Sequence, residues 1–252
     1  MQESLQMLAV IGGSGLTQLS SLEDTQRAVV ATPYGEPSDA ITHGTIRGRP
    51  VMFLARHGHG HTIPPHEINY RANIWALKKE GATGIVSVAS VGGVRADLGP
   101  GVLVVPHQII DYTWGRSSTY FEGGGVPVTH IDFTHPYDEG LRRRILAAAR
   151  AAGQTVLDGG VYAASQGPRL ESAAEIDRLE RDGADMVGMT GMPEAALARE
   201  LALDYAAIAV VVNHAAGRGE SKDGIALNRI EEMLRDTIGR ARRVIEALVG
   251  FE

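Results

Sequence analysis

Short apolar runs that each end in glycine or polar residues recur along this chain, and they limit the folds that it can form. Residues 207–212 are all apolar and lead directly to Asn213. The runs at 8–11 and 51–55 lead in the same way to the motifs GGSG and RHGHGH. Runs of this length are typical of strands buried on both faces, as in parallel sheets covered by helices.

Helical patterns separate these runs. Apolar side chains recur at helical spacing in residues 67–81, 139–152 and 172–182, and again from residue 227 onward. In the second of these helices, the three arginines at 142–144 are expected to form a solvated face. Residues 111–125 are expected to form a long glycine-rich loop. Strands and helices alternate without a linker or repeat, which favours one α/β domain over residues 1–252.

The composition excludes several classes of function. A formal net charge of −6 argues against a nucleic-acid surface. The absence of cysteine excludes disulfides and thiolate chemistry. No run approaches the roughly 18 apolar residues of a membrane span, and the start of the chain lacks the features of a signal peptide. We therefore expect a cytoplasmic protein without nucleic-acid or membrane partners.

The polar ends of the strands predict one composite ligand site. The carboxyl ends of parallel strands meet at one edge of a sheet, which is where open α/β folds bind ligands. Asn213 at such an end can donate and accept hydrogen bonds at once, so it can distinguish heterocycles by their donor and acceptor pattern. Taken alone, the same residue fits an ordinary loop cap better.

The histidine-rich motif after residue 55 allows two interpretations. Imidazole is a zinc ligand, so the cluster of His57, His59, His61 and His66 admits a metal site. Arg56 would repel a cation, however, and Arg56 with His57 suits a phosphate bound by charge-assisted hydrogen bonds. We favour phosphate over metal, with a solvated loop as the simpler alternative.

The turn GGSG at residues 12–15 offers backbone amides to an anion, but this signal is weak. The turn lacks the lysine of a P-loop and the third glycine of a dinucleotide fingerprint. It also lacks the spacing of a serine nucleophile elbow, because residue 16 is leucine rather than glycine. A serine hydrolase is therefore not expected.

Five segments together resemble the family of trimeric purine nucleoside and methylthioadenosine phosphorylases. They are IGGSGL at 11–16, LARHGHGH at 54–61, NYRANIWALKKEGAT at 69–83, GPRLESAAE at 167–175 and DMVGMTGMPEAALARE at 185–200. The similarity extends over nearly the whole chain in the same order, and it is greatest to the bacterial S-methyl-5'-thioinosine phosphorylases. It implies an α/β fold of the nucleoside phosphorylase I type, in which helices flank a mixed central β-sheet.

The resemblance implies a site for inorganic phosphate, a co-substrate in this family, and neither a metal nor another cofactor. The residues that match the family's phosphate site are Ser14, Arg56, His57, Ala89, Ser90 and Thr190. Convergence of cationic, hydroxyl and amide donors on one anion is physically reasonable. The methylthioadenosine enzymes carry threonine at the place of Ala89, so Ser90 or a backbone amide is expected to replace that donor.

The same resemblance implies how the purine base is selected. Asn213 and Ala215 stand where methylthioadenosine phosphorylases carry two aspartates that read the adenine amino group and N7. Glu171 matches the glutamate that accepts the N1–H of hypoxanthine in 6-oxopurine phosphorylases. An asparagine can donate to O6 of a 6-oxopurine, whereas a carboxylate would repel the unprotonated N1 of adenine. Both positions therefore favour a 6-oxopurine.

The remaining substrate-binding residues also come from the resemblance. Met189 would lie under the ribose, where a flexible apolar side chain fits a sugar face. Leu227 and Ile230 would form an apolar pocket for a 5'-methylthio group. His130 would reach the site from a neighbouring subunit of a homotrimer. Leu170 and His214, next to the base-reading residues, complete the set.

These implications predict phosphorolysis of S-methyl-5'-thioinosine to hypoxanthine and 5-methylthioribose 1-phosphate, with Asn213, Arg56 and His57 as catalytic residues. The nearest alternative is a 5'-methylthioadenosine phosphorylase or a broad inosine/guanosine phosphorylase. Two more distant candidates are a nucleosidase, which uses water, and a purine-binding protein without activity. The phosphate-site residues argue against the nucleosidase and against the binding protein.

Overall fold

The strand β5 (Gly84–Gly93) is central to the fold, because three other strands pair with it. The computed structural model describes residues 7–125 and 127–250, except for the side chain of Glu231. Strands β1 (Leu8–Gly12) and β11 (Asp204–His214) flank β5 in parallel. Strand β10 (Met186–Gly188) pairs antiparallel with the last two residues of β5.

The remaining strands extend the sheet on both sides of β5. On one side, β4 (Arg49–Ala55) is parallel to β1 and continues into an antiparallel edge of β3 (Ile41–Ile46) and β2 (Glu23–Ala28). On the other side, β9 (Val161–Ala164) and β7 (Gln108–Asp111) follow β10 in parallel, while β6 (Leu103–Val105) pairs with β11 and β8 (Leu157–Asp158) pairs with β6. The sheet is mixed, which confirms the expected fold class.

Helices cover both faces of this sheet. They are α1 (Tyr70–Lys79), α2 (Glu139–Ala151), α3 (Ala173–Arg181), α4 (Glu194–Glu200) and α5 (Leu227–Val249). Helices α2 and α5 pack against each other in one core cluster, and α1 and α4 contribute to the cluster on the opposite face. Within the described residues, no helix combines the length and apolar character needed to cross a membrane.

Local signals in the sequence place the helix ends. The side chain of Asn69 accepts a hydrogen bond from the backbone N–H of Ala72 and so begins α1. Ser172 and Glu175 form a reciprocal capping box at the start of α3. Gly81 has a φ of 98° just after α1, a conformation that glycine adopts without steric cost. These helices begin within about three residues of the predicted starts at 67 and 172.

Arg142 contradicts the expected solvated face of α2. Its residue is only 5% exposed, and its Nε donates to the carbonyl oxygen of Pro106 at 2.9 Å. The guanidinium also forms ion pairs with Glu139 and Asp158. Arg143, by contrast, is exposed as predicted, with 76% of its side chain accessible. The prediction for Arg142 was wrong because backbone carbonyls after β6 lie within reach of the long side chain.

The parallel strands bring their polar ends together, as the sequence predicted. Strands β4, β1, β5 and β11 are consecutive neighbours in parallel, so their carboxyl ends share one edge. Strand β11 continues through Asn213 to His214, beyond the apolar run, and its register shifts between Val211 and Asn213. A bulge of this kind redirects the following side chains. This edge therefore holds the polar side chains that can carry chemistry.

Candidate active site

One cavity at the carboxyl edge of the sheet gathers most of the residues identified from the sequence. Its lining includes Ser14, Arg56, His57, Ala89, Ser90, Leu170, Glu171, Met189, Thr190, Asn213, Ala215 and Ile230. These residues follow β1, β4, β9, β10 and β11, or belong to β5, β11 and α5. Residues far apart in sequence therefore meet in one place, which is the geometry expected for a ligand site in an α/β fold.

Three of the predicted site residues do not line this cavity in the single chain. His130 is exposed in the segment before α2. Leu227 is 64% exposed at the first position of α5. His214 lines a second cavity, together with Asn213 and Ile230. Successive side chains of a strand point to opposite faces, which accounts for the different surroundings of His214 and Asn213.

The cavity also contains residues that the sequence reasoning did not find. They are Gly13, Pro65, Val91, Gly92, Val187, Gly188, Val212 and Ile225. Ile225 is the most informative of them, because it lines the cavity with an apolar side chain whereas Leu227, two positions later, does not. It precedes the helix and belongs to no apolar period, so the sequence holds no signal for its role.

Arg56 forms a fully buried ion pair with Glu194. Its Nε donates to Glu194 Oε2 at 2.7 Å, and its Nη2 donates to Glu194 Oε1 at 2.9 Å. Nη2 also donates to Ser87 Oγ at 2.6 Å, and Nη1 donates to the carbonyl oxygen of Val88 at 3.0 Å. A guanidinium has five N–H donors, and these bonds use four. These bonds leave one N–H of Nη1 unused.

The charge of Arg56 is secured by this pairing. Burial by itself lowers the pKa of Arg56, but the charge of Glu194 and its hydrogen bonds outweigh that effect and raise the pKa above its ordinary value. Tyr205 donates from its hydroxyl group to Glu194 Oε1 at 2.8 Å, which fixes the carboxylate further. Glu194 is the first residue of α4 and was not identified from the sequence.

The glycine turn lies directly against this guanidinium. A Cβ atom on Gly13 would lie 2.6 Å from the carbonyl oxygen of Val88 and 2.8 Å from Nη1 of Arg56. Both distances are too short for any side chain, so only glycine permits the approach. The next residue, Ser14, has its Oγ 3.3 Å from Nε2 of His61. Hydroxyl, backbone and guanidinium groups therefore meet at this end of the cavity.

His57 does not carry the charge that the sequence reasoning gave it. Burial, reinforced by the neighbouring Arg56, lowers the pKa of His57 to about 4. Its Nδ1 lies 2.8 Å from the carbonyl oxygen of Ile63. Since a carbonyl only accepts, the neutral ring has its proton on Nδ1 and none on Nε2. The ring is therefore neutral at neutral pH, and the role of His57 in binding phosphate stays a prediction.

Two rings of the histidine cluster pack against each other, with their planes inclined at 42°. The rings of His57 and His61 lie 4.3 Å apart between centroids. Burial and Arg56 also lower the pKa of His61. Among residues 7–125 and 127–250, no group of three or more His, Cys, Asp or Glu side chains has the arrangement to hold a metal ion.

Glu171 and Asn213, which also line the cavity, each have part of their polar group held by a hydrogen bond. Ser165 Oγ donates to Glu171 Oε1 at 2.5 Å, which leaves Oε2 as an acceptor. Asn213 Nδ2 donates to the carbonyl oxygen of His214 at 2.6 Å, which leaves a second N–H and Oδ1. Ala215 is buried, and its backbone N–H donates to the carbonyl oxygen of Gly93 at 2.8 Å. The cavity thus offers a carboxylate acceptor and an amide, together with apolar walls.

The family follows from the sequence comparison. The profile of the phosphorylase superfamily matches residues 7–250, which is almost the entire chain. The chain belongs to the phosphorylase superfamily. The probable S-methyl-5'-thioinosine phosphorylase of Pseudomonas syringae pv. tomato is 55% identical to this phosphorylase over 242 residues, which cover 96% of this chain and 98% of the relative.

The names of two other relatives imply two different kinds of purine base. The probable 6-oxopurine nucleoside phosphorylase of Thermococcus kodakarensis is 46% identical over 220 residues, covering 85% of this chain and 82% of the relative. The methylthioadenosine phosphorylase of Schistosoma mansoni, solved in complex with adenine, superimposes with a TM-score of 0.92 at 32% identity. That alignment covers 97% of this chain and 91% of the solved one.

Proposed function

We propose that this phosphorylase cleaves S-methyl-5'-thioinosine with inorganic phosphate, giving hypoxanthine and 5-methylthioribose 1-phosphate. The observation that carries the proposal is that Glu171 and Asn213 line the same cavity as Ser14, Arg56 and Thr190. A base-reading pair and an anion-binding group therefore face one substrate volume. The names of the relatives from Pseudomonas syringae and Thermococcus kodakarensis support a 6-oxopurine substrate.

The base is selected by hydrogen-bond complementarity. The free Oε2 of Glu171 accepts the N1–H of hypoxanthine, and the second N–H of Asn213 Nδ2 donates to N7 or O6. Adenine presents an unprotonated N1 to the same carboxylate, which leaves two acceptors face to face. A buried site with this mismatch discriminates strongly, because its own polar groups remain unpaired with the wrong base.

Phosphate is bound mainly by dipolar donors. The charge of Arg56 is already balanced by Glu194, so the remaining Nη1 N–H acts together with the hydroxyl groups of Ser14, Ser90 and Thr190. The neutral His57, with no proton on Nε2, accepts a hydrogen bond from a protonated phosphate oxygen. Ala89 contributes through its backbone, in agreement with the lack of a side-chain donor.

The reaction forms one bond and breaks another at the same carbon atom. A phosphate oxygen attacks C1' of the sugar, and the electron pair of the C1'–N9 bond leaves with the purine through an oxocarbenium-like state. Met189 packs under the sugar, and the phosphate dianion offsets the positive charge of the sugar. Asn213 stabilises the negative charge that develops on the purine, which then takes up a proton to become neutral hypoxanthine.

The 5' end of the substrate lies against apolar side chains. Ile225 and Ile230 line the cavity, and an apolar wall favours a methylthio group over a hydroxyl group. His130 and Leu227 are exposed in the single chain, as are Trp114 and Val128. We infer a homotrimer in which His130 of the neighbouring subunit completes the 5' end. The cytoplasmic location stays a prediction.

A side-by-side assay tests the proposal. Methylthioinosine, methylthioadenosine, inosine and guanosine are each incubated with and without phosphate, and the release of the base is followed by ultraviolet absorbance. We expect phosphate-dependent release of hypoxanthine from methylthioinosine at the highest kcat/KM. Release without phosphate would indicate a nucleosidase instead. Preference for methylthioadenosine would overturn the base-reading roles of Glu171 and Asn213.

A further inference from the structure

We propose that Arg116 is a positioning residue, which holds the segment carrying Glu171 and the turn carrying Met189 and Thr190 in a fixed relation. The inference rests on the proposed function, which gives these two segments their roles. Arg116 lies between β7 and α2, in the stretch expected to be a glycine-rich loop. It does not line the cavity, so its effect reaches the substrate only through the backbone that it binds.

One end of the guanidinium binds the turn under the sugar and phosphate. Nη1 of Arg116 donates to the carbonyl oxygens of Met189 at 2.9 Å and Met192 at 2.6 Å. Met189 and Thr190 line the cavity, and Glu194, the partner of Arg56, begins the helix that follows. This contact therefore fixes the chain where three site residues originate.

The other end of the guanidinium binds the base-reading segment. Nη2 of Arg116 donates to the carbonyl oxygens of Gln166 at 2.9 Å and Ser165 at 3.3 Å. The side chain of Ser165 in turn donates to Glu171 at 2.5 Å. The backbone that Arg116 fixes is thus the same backbone that orients the carboxylate of Glu171.

The shape of the side chain matters more than its charge. The acceptors of Nη1 and Nη2 are neutral carbonyls, and none of the ion pairs between described residues includes Arg116. The ring of Tyr70 lies 5.4 Å from the guanidinium carbon, and its hydroxyl oxygen lies 3.2 Å from Nη1. A planar fork can bind two segments at once, whereas the single ammonium group of lysine reaches one.

Arg116→Lys therefore separates a positioning role from a requirement for charge. The variant keeps the cation but releases one of the two segments, so substrate groups lose their alignment. Misplacement of about 1 Å costs roughly 100-fold in rate, and we expect a loss of kcat/KM between roughly tenfold and 100-fold for methylthioinosine. The preference for methylthioinosine over methylthioadenosine should fall roughly tenfold as well, since Glu171 is no longer held.

Arg240→Lys is the matched control. Arg240 also donates to backbone carbonyls, those of Gly101 at 2.6 Å and Thr155 at 3.2 Å, and neither residue lines the cavity. We expect its kcat/KM and base preference to equal those of the wild type. If Arg116→Lys changes base preference no more than Arg240→Lys does, the positioning role is refuted.

Amide hydrogen exchange provides a readout that needs no substrate. In Arg116→Lys, exchange should accelerate in residues 165–171 and 188–192 together, and it should stay at the wild-type rate there in Arg240→Lys. Unchanged exchange in both segments would overturn the inference. Because exchange is measured without turnover, it decides the role of Arg116 even if the wild type cleaves none of the four nucleosides. If the wild type cleaves none of them, only the proposed function is overturned.

Discussion

Arg56 and Glu194 form a bidentate ion pair at 2.7 and 2.9 Å, with both side chains fully buried. The pair links the end of β4 to the start of α4 directly beneath the cavity. Two charges removed from water are tolerated only when each is matched and hydrogen-bonded, and here Ser87 and Tyr205 complete the set. Under the proposed function, the guanidinium nearest the phosphate is therefore already neutralised by Glu194.

Glu194→Gln should destabilise the protein, and the stability of the variant should depend on phosphate more than that of the wild type does. Removing one partner of a buried pair costs about 3–5 kcal/mol of unfolding free energy. Phosphate should then raise the melting temperature of the variant more than that of the wild type, because it supplies the missing negative charge. Calorimetry with and without phosphate measures both effects. The control is Asp97→Asn, which breaks an exposed pair with Arg95 and should cost less than about 1 kcal/mol.

His57 should make stability depend on pH in the acid range. Its pKa is about 4 in the folded protein and 6.5 as the ordinary value, so the unfolded chain takes up its proton first as the pH falls. Stability is fully present above pH 6.5 and is lost progressively down to pH 4, by about 3 kcal/mol for this residue. Urea unfolding of the wild type and His57→Gln between about pH 7.5 and 4.5 tests this. Parallel curves for the two proteins would contradict the assignment.

The position of the site at the carboxyl edge of the sheet was predictable, because the end of each strand is marked in its own local sequence. Apolar runs that stop at Asn213, at Arg56 and at the glycine turn need no knowledge of other strands. Parallel pairing then brings these ends together, and the resemblance to phosphorylases supplied Glu171 and Thr190. The fold class and the composite cavity followed from these signals.

Long side chains with distant partners were not predictable. Arg142 belongs to a run of arginines on a helix, and only the backbone carbonyl of Pro106 explains its burial. Arg56 and Glu194 are 138 positions apart, so no sequence pattern joins them. Arg116 lies in an irregular segment where periodicity carries no information. In each case the partner is set by tertiary structure alone.

Ser165→Ala should weaken base discrimination while it leaves phosphate binding intact. The hydroxyl of Ser165 donates to Glu171 at 2.5 Å and so fixes the carboxylate that we propose reads N1–H. Without it we expect the KM for methylthioinosine to rise roughly tenfold, since a hydrogen bond to a charged group contributes about 1.5–3 kcal/mol. The KM for phosphate should not change. Steady-state kinetics with each substrate varied in turn provides the test. A rise in the KM for phosphate alone would contradict the role of Ser165 in holding Glu171.

Asn213→Asp combined with Ala215→Asp should shift the preference toward methylthioadenosine. The new carboxylates accept from the adenine amino group and from a protonated N7, but they repel O6 of a 6-oxopurine. The single change Asn213→Asp places a carboxylate against the carbonyl oxygen of His214, now 2.6 Å from Nδ2, so it should lower both activities. We expect the ratio of kcat/KM values to move roughly 100-fold in the double variant. An equal loss on both nucleosides in the double variant would refute the base-reading role of Asn213.

Ile225 should determine the preference for a methylthio group at the 5' position. It lines the cavity, whereas Leu227, two positions later, is 64% exposed. Ile225→Ser replaces apolar surface by a hydroxyl group, and one such difference in an apolar pocket is worth about 1–3 kcal/mol. We therefore expect kcat/KM for methylthioinosine to fall at least roughly tenfold relative to inosine. Leu227→Ser is the comparison variant, because the resemblance to phosphorylases places the 5' pocket at Leu227. A shift of that ratio in Leu227→Ser with none in Ile225→Ser would refute the role of Ile225.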